Sequence, residues 1–206
     1  MPCRSISQAI DNARSGDTIV VGPGRYGDLD GQPGRGPGDE AVPNGVDMIV
    51  VDKPLTIVSR DGAATTVLEL TTAIVSLVSI AADDVTFGKR KKGFTLTGPA
   101  LPDGIRALST ATRATVAGNR TVGFRVGIAL EGVHAAIGNR ATGATAAGLI
   151  VATGARAIGN EAVANAGSGI LAGTVGVQVV GNLFSGNGGD GLTIDPGGSG
   201  HVVRGN

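Results

Sequence analysis

Short apolar stretches recur through the C-terminal half of this chain, each opened by a glycine followed by Ile or Leu. They begin at Gly104-Ile105, Gly127-Ile128, Gly148-Leu149, Gly169-Ile170 and Gly191-Leu192, with steps of 23, 21, 21 and 22 residues. Inside each stretch the pattern has the two-residue period of a strand with one buried face. Aligned on the glycine, Ile105, Ile128, Leu149, Ile170 and Leu192 form one inward column, and Ala107, Leu130, Val151, Ala172 and Ile194 a second. Arg106, Ala129, Ile150, Leu171 and Thr193 then face out, followed by Leu108, Glu131, Ala152, Gly173 and Asp195.

A second series keeps the same period. Gly-Asn pairs stand at Gly118-Asn119, Gly138-Asn139, Gly159-Asn160, Gly181-Asn182 and Gly205-Asn206, with the asparagines 20, 21, 22 and 24 residues apart. Two markers with one period predict a solenoid of coils of about 21–24 residues, each advancing ~4.8 Å by parallel strand pairing. The Gly-Asn pairs fall at one corner, where glycine supplies the turn dihedrals. Asn119, Asn139, Asn160 and Asn182 are expected to stack there as a structural ladder. Before each pair, one register buries Val116, Ala136, Ala157, Val179 and Val203, while the other buries Thr115, Arg156, Gln178 and Arg204. The first is preferred, because unpaired buried charge costs several kcal/mol.

Upstream, Ile6, Ala9, Ile10 and Ala13 share one face of a short amphipathic helix that Ser5 can cap. Ser15-Gly16-Asp17 ends it, and strands follow at 18–21, 48–51, 55–58, 66–68, 74–80, 85–87 and 93–97. Residues 27–45 are rich in Gly, Pro and acid, with no apolar period, and read as a surface loop. The whole of 1–206 is one domain: a cap over 1–16, the loop, and regular coils over 104–206.

Composition narrows the classes. Lys+Arg and Asp+Glu are 17 each, which argues against a nucleic-acid binder. Gly is 36 of 206, and there are four Phe, one Tyr and no Trp, which suits narrow coils rather than wide aromatic layers. Cys3 is alone, so no internal disulfide forms. No apolar run approaches the ~18 residues of a membrane span, and no signal sequence opens the chain.

The N-terminal run Ser5-Ile6-Ser7-Gln8-Ala9-Ile10, then Gly16-Asp17-Thr18-Ile19-Val20-Val21 and Pro23-Gly24-Arg25-Tyr26, resembles the pectin lyase-like superfamily. Lys53-Pro54-Leu55-Thr56-Ile57-Val58-Ser59 and Gly93-Phe94-Thr95-Leu96-Thr97-Gly98 are similar to phrases of the same group. The resemblance implies an all-β, right-handed parallel β-helix with an N-terminal capping helix. Its members include polysaccharide lyases, glycoside hydrolases, uronate epimerases, phage tailspikes and proteins without activity, so fold does not fix function.

Candidate chemistry is sparse. The lyases of that group need carboxylates converging on calcium and an Arg or Lys beside the uronate. The outer column Ala129, Ile150, Leu171 offers none, and no carboxylate pair is found on that face. Arg106, Glu131 and the basic turn Lys89, Arg90, Lys91 are the candidate carbohydrate contacts. Asp28, Asp30 and Asp47 are the candidate metal ligands, with calcium the ion they would take; otherwise no cofactor is expected. Arg120, Arg140 and Glu161 should stack on adjacent coils, and His134 and His201 share a slot three coils apart.

The favoured reading is a non-catalytic binding or structural module, associated with polysaccharide outside the cell or at its surface. The alternatives are a lyase or epimerase with its site on the N-terminal coils, and a piece of a longer adhesin or tailspike-like fibre. Apolar outer strips (Ala129, Ile150, Leu171 and Ile137, Ile158, Val180) and an unfinished last coil suggest a homo-oligomer.

Overall fold

The computed structural model describes residues 3–27, 40, 45–71, 74–173 and 175–206. Among them, one helix precedes three sheets of eight, seven and seven strands, and every pairing is parallel. The first sheet runs from Thr18–Val21 to Val202–Arg204, the second from Gly24–Gly27 to Leu183–Ser185, the third from Asp47–Val51 to Leu192–Ile194. Each coil contributes one strand to each sheet in turn, so the chain is a three-sheeted parallel β-helix. Its right hand is the one parallel crossovers take. The glycine-led stretches are the third sheet, and the strands before Gly-Asn are the first. Thr121, Ala141 and Ala162, the middle residues of short strands after the Asn corner, bury the second sheet's inner face.

The core is a column of Ile, Leu, Val and Ala closed by three buried phenylalanines. Phe87 and Phe94 stack with centroids 4.9 Å apart. Phe124 fits because glycines face it; a Cβ on Gly98 or Gly104 would come within 2.3 Å and 3.0 Å of its ring. Val203 departs from its expected burial and is 44% exposed, because the outermost coil carries no described strand above it.

The helix spans Ile6–Asn12 with Ser5 as N-cap, its hydroxyl accepting from Gln8 N. Its free N–H groups meet a carboxylate that sequence spacing alone would not assign. Glu40, from the acidic stretch, is buried and accepts from Ile6 N at 2.5 Å and Ser7 N at 2.8 Å. At the other end Lys53 Nζ donates to the carbonyls of Ile10, Asp11 and Ala13. Opposite charges at opposite ends suit the helix dipole.

At the first corner the asparagines are buried and linked coil to coil. Asn139 Oδ1 accepts from Asn119 N, Asn160 Oδ1 from Asn139 N, and Asn182 Oδ1 from Asn160 N, each at 2.9 Å. Each side-chain amide donates in turn to the next Oδ1 and to a first-sheet carbonyl. One coil lower, Phe94 takes the asparagine's slot, and Asn119 Oδ1 accepts from Phe94 N. A second column stands at the next corner, where Ala144 N donates to Asn165 Oδ1 and Asn165 N to Asn187 Oδ1.

His134 is buried between coils. Its Nδ1 accepts from Ala114 N at 3.2 Å and its Nε2 lies 3.1 Å from Leu108 O, so the neutral Nε2–H form satisfies both. His201 repeats the contact three coils on, accepting from Val177 N. Burial pushes the His134 imidazolium pKa down, against the opposing pull of Leu108 O and of Asp83 and Glu131. A depressed folded value means the unfolded chain binds the proton more readily. The stabilisation is therefore full above the ordinary value of ~6.5 and is lost as pH falls below it. The melting temperature of the wild type is expected to fall more between about pH 7.5 and about pH 5, across the histidine range, than that of His134→Asn. Equal slopes would show that His134 is not responsible.

Candidate functional site

The alternation of the third sheet breaks at its glycines. A Cβ on Gly127 would lie 2.5 Å from Thr121 Oγ1 and 2.9 Å from the Ala141 Cβ, so this position faces the interior, as the following Ile128 does. The residue before the glycine is thereby turned outward, and it converges with the residue three further on. On the last coil Thr193 Oγ1 is 3.3 Å from both Asp190 Oδ2 and Ser168 Oγ. Repeated along the sheet, this bend sets two rows of residues side by side on the outer face, and the groove is the strip between them.

The N-terminal half of the groove is polar. Asp47, Ser76 and Asp103 pair across adjacent coils on one side of it, and Ser79 and Arg106 on the other. Asp47 Oδ1 accepts from Ser76 Oγ at 2.6 Å. Asp103 is only 3% exposed. Its Oδ2 accepts from Arg125 Nη2 at 3.0 Å. Its Oδ1 is 2.8 Å from the same nitrogen but out of line with an N–H, and takes no hydrogen bond from the described residues. Burial pushes the Asp103 carboxyl above the ordinary carboxylate value, with Arg125 and Arg106 opposing and Glu131 adding to the rise.

Arg106 donates through Nε to Glu131 Oε1 at 2.5 Å, each side chain 31% exposed. That bond, with the fields of Glu131, Asp103 and Asp47, holds the guanidinium above its usual value. Arg125 is the more accessible cation, with half of its side chain open to solvent.

The sequence-derived candidates divide between places. Arg106 and Glu131 come together in the groove as a pair. Asp47 opens a third-sheet strand and is buried beside Ser76. Asp28 and Asp30 lie outside the described residues, and among the described residues no three His, Cys, Asp or Glu side chains gather to hold an ion. Lys89, Arg90 and Lys91 lie at the corner between the first and second sheets, in an exposed turn where Lys92 N donates to Lys89 O. The turn is a four-residue insertion: Phe87 pairs with Val116 and Thr95 with Arg120, and the stretch between is longer by four on the lower coil. Arg120, Arg140 and Glu161 stack as expected, with Arg140 Nη1 donating to Glu161 at 2.5 Å.

Two expectations about this face are corrected. It carries three carboxylates, Asp47, Asp103 and Glu131, around Arg106. Asp103 and Arg125 were not singled out because both precede the glycine-led alternation. The apolar outer strip is also less open than expected: Ala129 is buried, while Ile150 and Leu171 are half-buried.

The fold defines the class: a three-sheeted parallel β-helix, the architecture of the pectin lyase-like proteins that the sequence resembles. No family model matches the chain, and no curated protein matches it. Solved structures similar to it include an alginate lyase from a Paenibacillus species, with a TM-score of 0.47 and 14% identity over 98% of this chain and 97% of that one. The A-module of the Azotobacter vinelandii mannuronan C-5 epimerase AlgE4 is similar with a TM-score of 0.46 and 16% identity, over 92% of this chain and 68% of that one.

Proposed function

We propose that this β-helix is an extracellular or cell-surface module that binds an acidic polysaccharide along the groove of its third sheet. The observation that carries the reading is the half-exposed side chain of Arg125, paired with the buried Asp103, with Arg106 and Glu131 as neighbours. A guanidinium fork matches a sugar carboxylate in two directions. The repeat of the coils sets further polar groups, Ser168, Asp190 and Thr193, along the same line for neighbouring sugars.

Titration calorimetry with alginate, polygalacturonate, hyaluronate and uncharged dextran tests this. At least one uronate polymer should bind, and dextran should not. Arg125→Ala should weaken binding by about tenfold or more, the worth of a charged hydrogen bond. Arg140→Ala, on the second sheet, should leave it unchanged. Absence of binding to all four polymers would refute the module.

A second reading has one observation in its favour. Asp103, a carboxyl held up by burial and placed next to two arginines, has the character of a group that exchanges a proton at a uronate, as a lyase or epimerase requires. Formation of an unsaturated product, or exchange of the proton beside the sugar carboxylate with deuterated solvent, would select it.

A further inference from the structure

We propose that Asp103 takes up a proton when an acidic sugar seats on Arg125, so that binding at this groove is coupled to pH. The inference rests on the binding reading above and adds to it how the site is regulated.

The argument begins with who holds the negative charge of Asp103. The side chain is buried, and its one hydrogen bond among the described residues comes from Arg125. Arg106 faces the same carboxylate but is committed through Nε to Glu131. Glu131 bears on Asp103 with like charge, and Asp47, one coil further from it than Ser76, bears on Arg106. Arg125 is thus the main support of the ionised form, and it is also the group most open to a ligand. A carboxylate arriving there either draws the guanidinium outward or adds a negative charge beside Asp103. Both events disfavour the ionised state, and Oδ1, 2.8 Å from Arg125 Nη2 but without a hydrogen bond among the described residues, is the oxygen that takes the proton as the guanidinium's hold is weakened.

Linkage fixes the sign. If the bound complex holds more protons than the free partners, affinity rises as pH falls, by at most about tenfold per pH unit for one proton. The sugar's own carboxylate stays ionised above about pH 5, so it does not contribute there.

The test uses the full chain and saturated hexamers cut from alginate and polygalacturonate, titrated calorimetrically from about pH 5 to 7.5. The expected result is affinity that rises toward low pH, and heats that differ between buffers of different ionisation enthalpy, reporting net proton uptake. Asp103→Asn keeps an oxygen for Arg125 but cannot titrate, and it should flatten the slope and remove the buffer dependence. Should that variant not fold, carboxyl carbon NMR of the wild type reads Asp103 directly, and its titration should move to higher pH with the hexamer bound. Binding that is independent of pH and buffer, or a slope that survives in Asp103→Asn, would overturn the proton coupling while leaving the binding reading intact. No binding of either hexamer would overturn both.

Discussion

Gly93→Ala is expected to abolish the folded state or to lower the melting temperature by about 10 °C or more. A Cβ at Gly93 would lie 1.9 Å from Gly118 O and 2.4 Å from Gly118 C, on the coil directly above. Those atoms cannot step aside cheaply. Gly118 N donates to Ile137 O, and the adjacent Asn119 is tied to Phe94, Phe87 and Asn139. Relief requires parting two paired coils, which places the cost above about 4 kcal/mol, in the range reserved for severe core lesions. Gly138→Ala is the control. Gly138 also occupies a corner, with φ +60°, but nothing lies within 4 Å of its would-be Cβ. Only the left-handed backbone penalises alanine there, about 1–2 kcal/mol. Thermal melts of the two variants should differ widely, and similar losses would mean that coil spacing is more compliant than the structure indicates.

Asn160→Ala should be strongly destabilising. Its Oδ1 accepts from Asn139 N and Nδ2, and its Nδ2 donates to Ala136 O and Asn182 Oδ1. All of this is buried, so truncation leaves Asn139 N without its acceptor and takes one partner each from Asn139 Nδ2, Ala136 O and Asn182 Oδ1. At about 1–3 kcal/mol for each orphaned group, the loss is about 3–5 kcal/mol. Asn160→Asp does not restore it, because a carboxylate would face two acceptors, Ala136 O and Asn182 Oδ1. Denaturant unfolding of both variants reads the effect, and a loss below about 1 kcal/mol for Asn160→Ala would contradict it.

The solenoid was legible because its markers repeat: five Gly-Asn pairs and five glycine-led strands declare a period that no single coil could. What repeats only twice is harder to see. Asn165 and Asn187 form a second column, but Phe124 and Ala144 hold the same slot on the coils beneath, so the sequence shows no series there. The groove was missed for a related reason. Asp103 sits immediately before the glycine at which strand alternation fails, and a two-residue period drawn from Gly104 onward neither includes it nor gives its direction. Glu40 was unreadable as a helix partner, since 33 residues separate it from Ser7 and nothing local links them. Arg106 and Glu131 could be nominated because they stood out in otherwise apolar columns. Their pairing needed the side chain of Glu131 to reach back one coil.

The strand register also bears on how the chain reaches this form. Arg120 pairs with Arg140, Arg140 with Glu161, and Glu161 with Leu183, so on these C-terminal coils partners stay 20, 21 and 22 residues apart. Along these coils the loop to be closed for each new layer is nearly constant, and its entropic cost does not grow with the length already folded. Assembly can proceed as a layer-by-layer growth front, in which every finished coil is the template for the next and the slow event is the first pair.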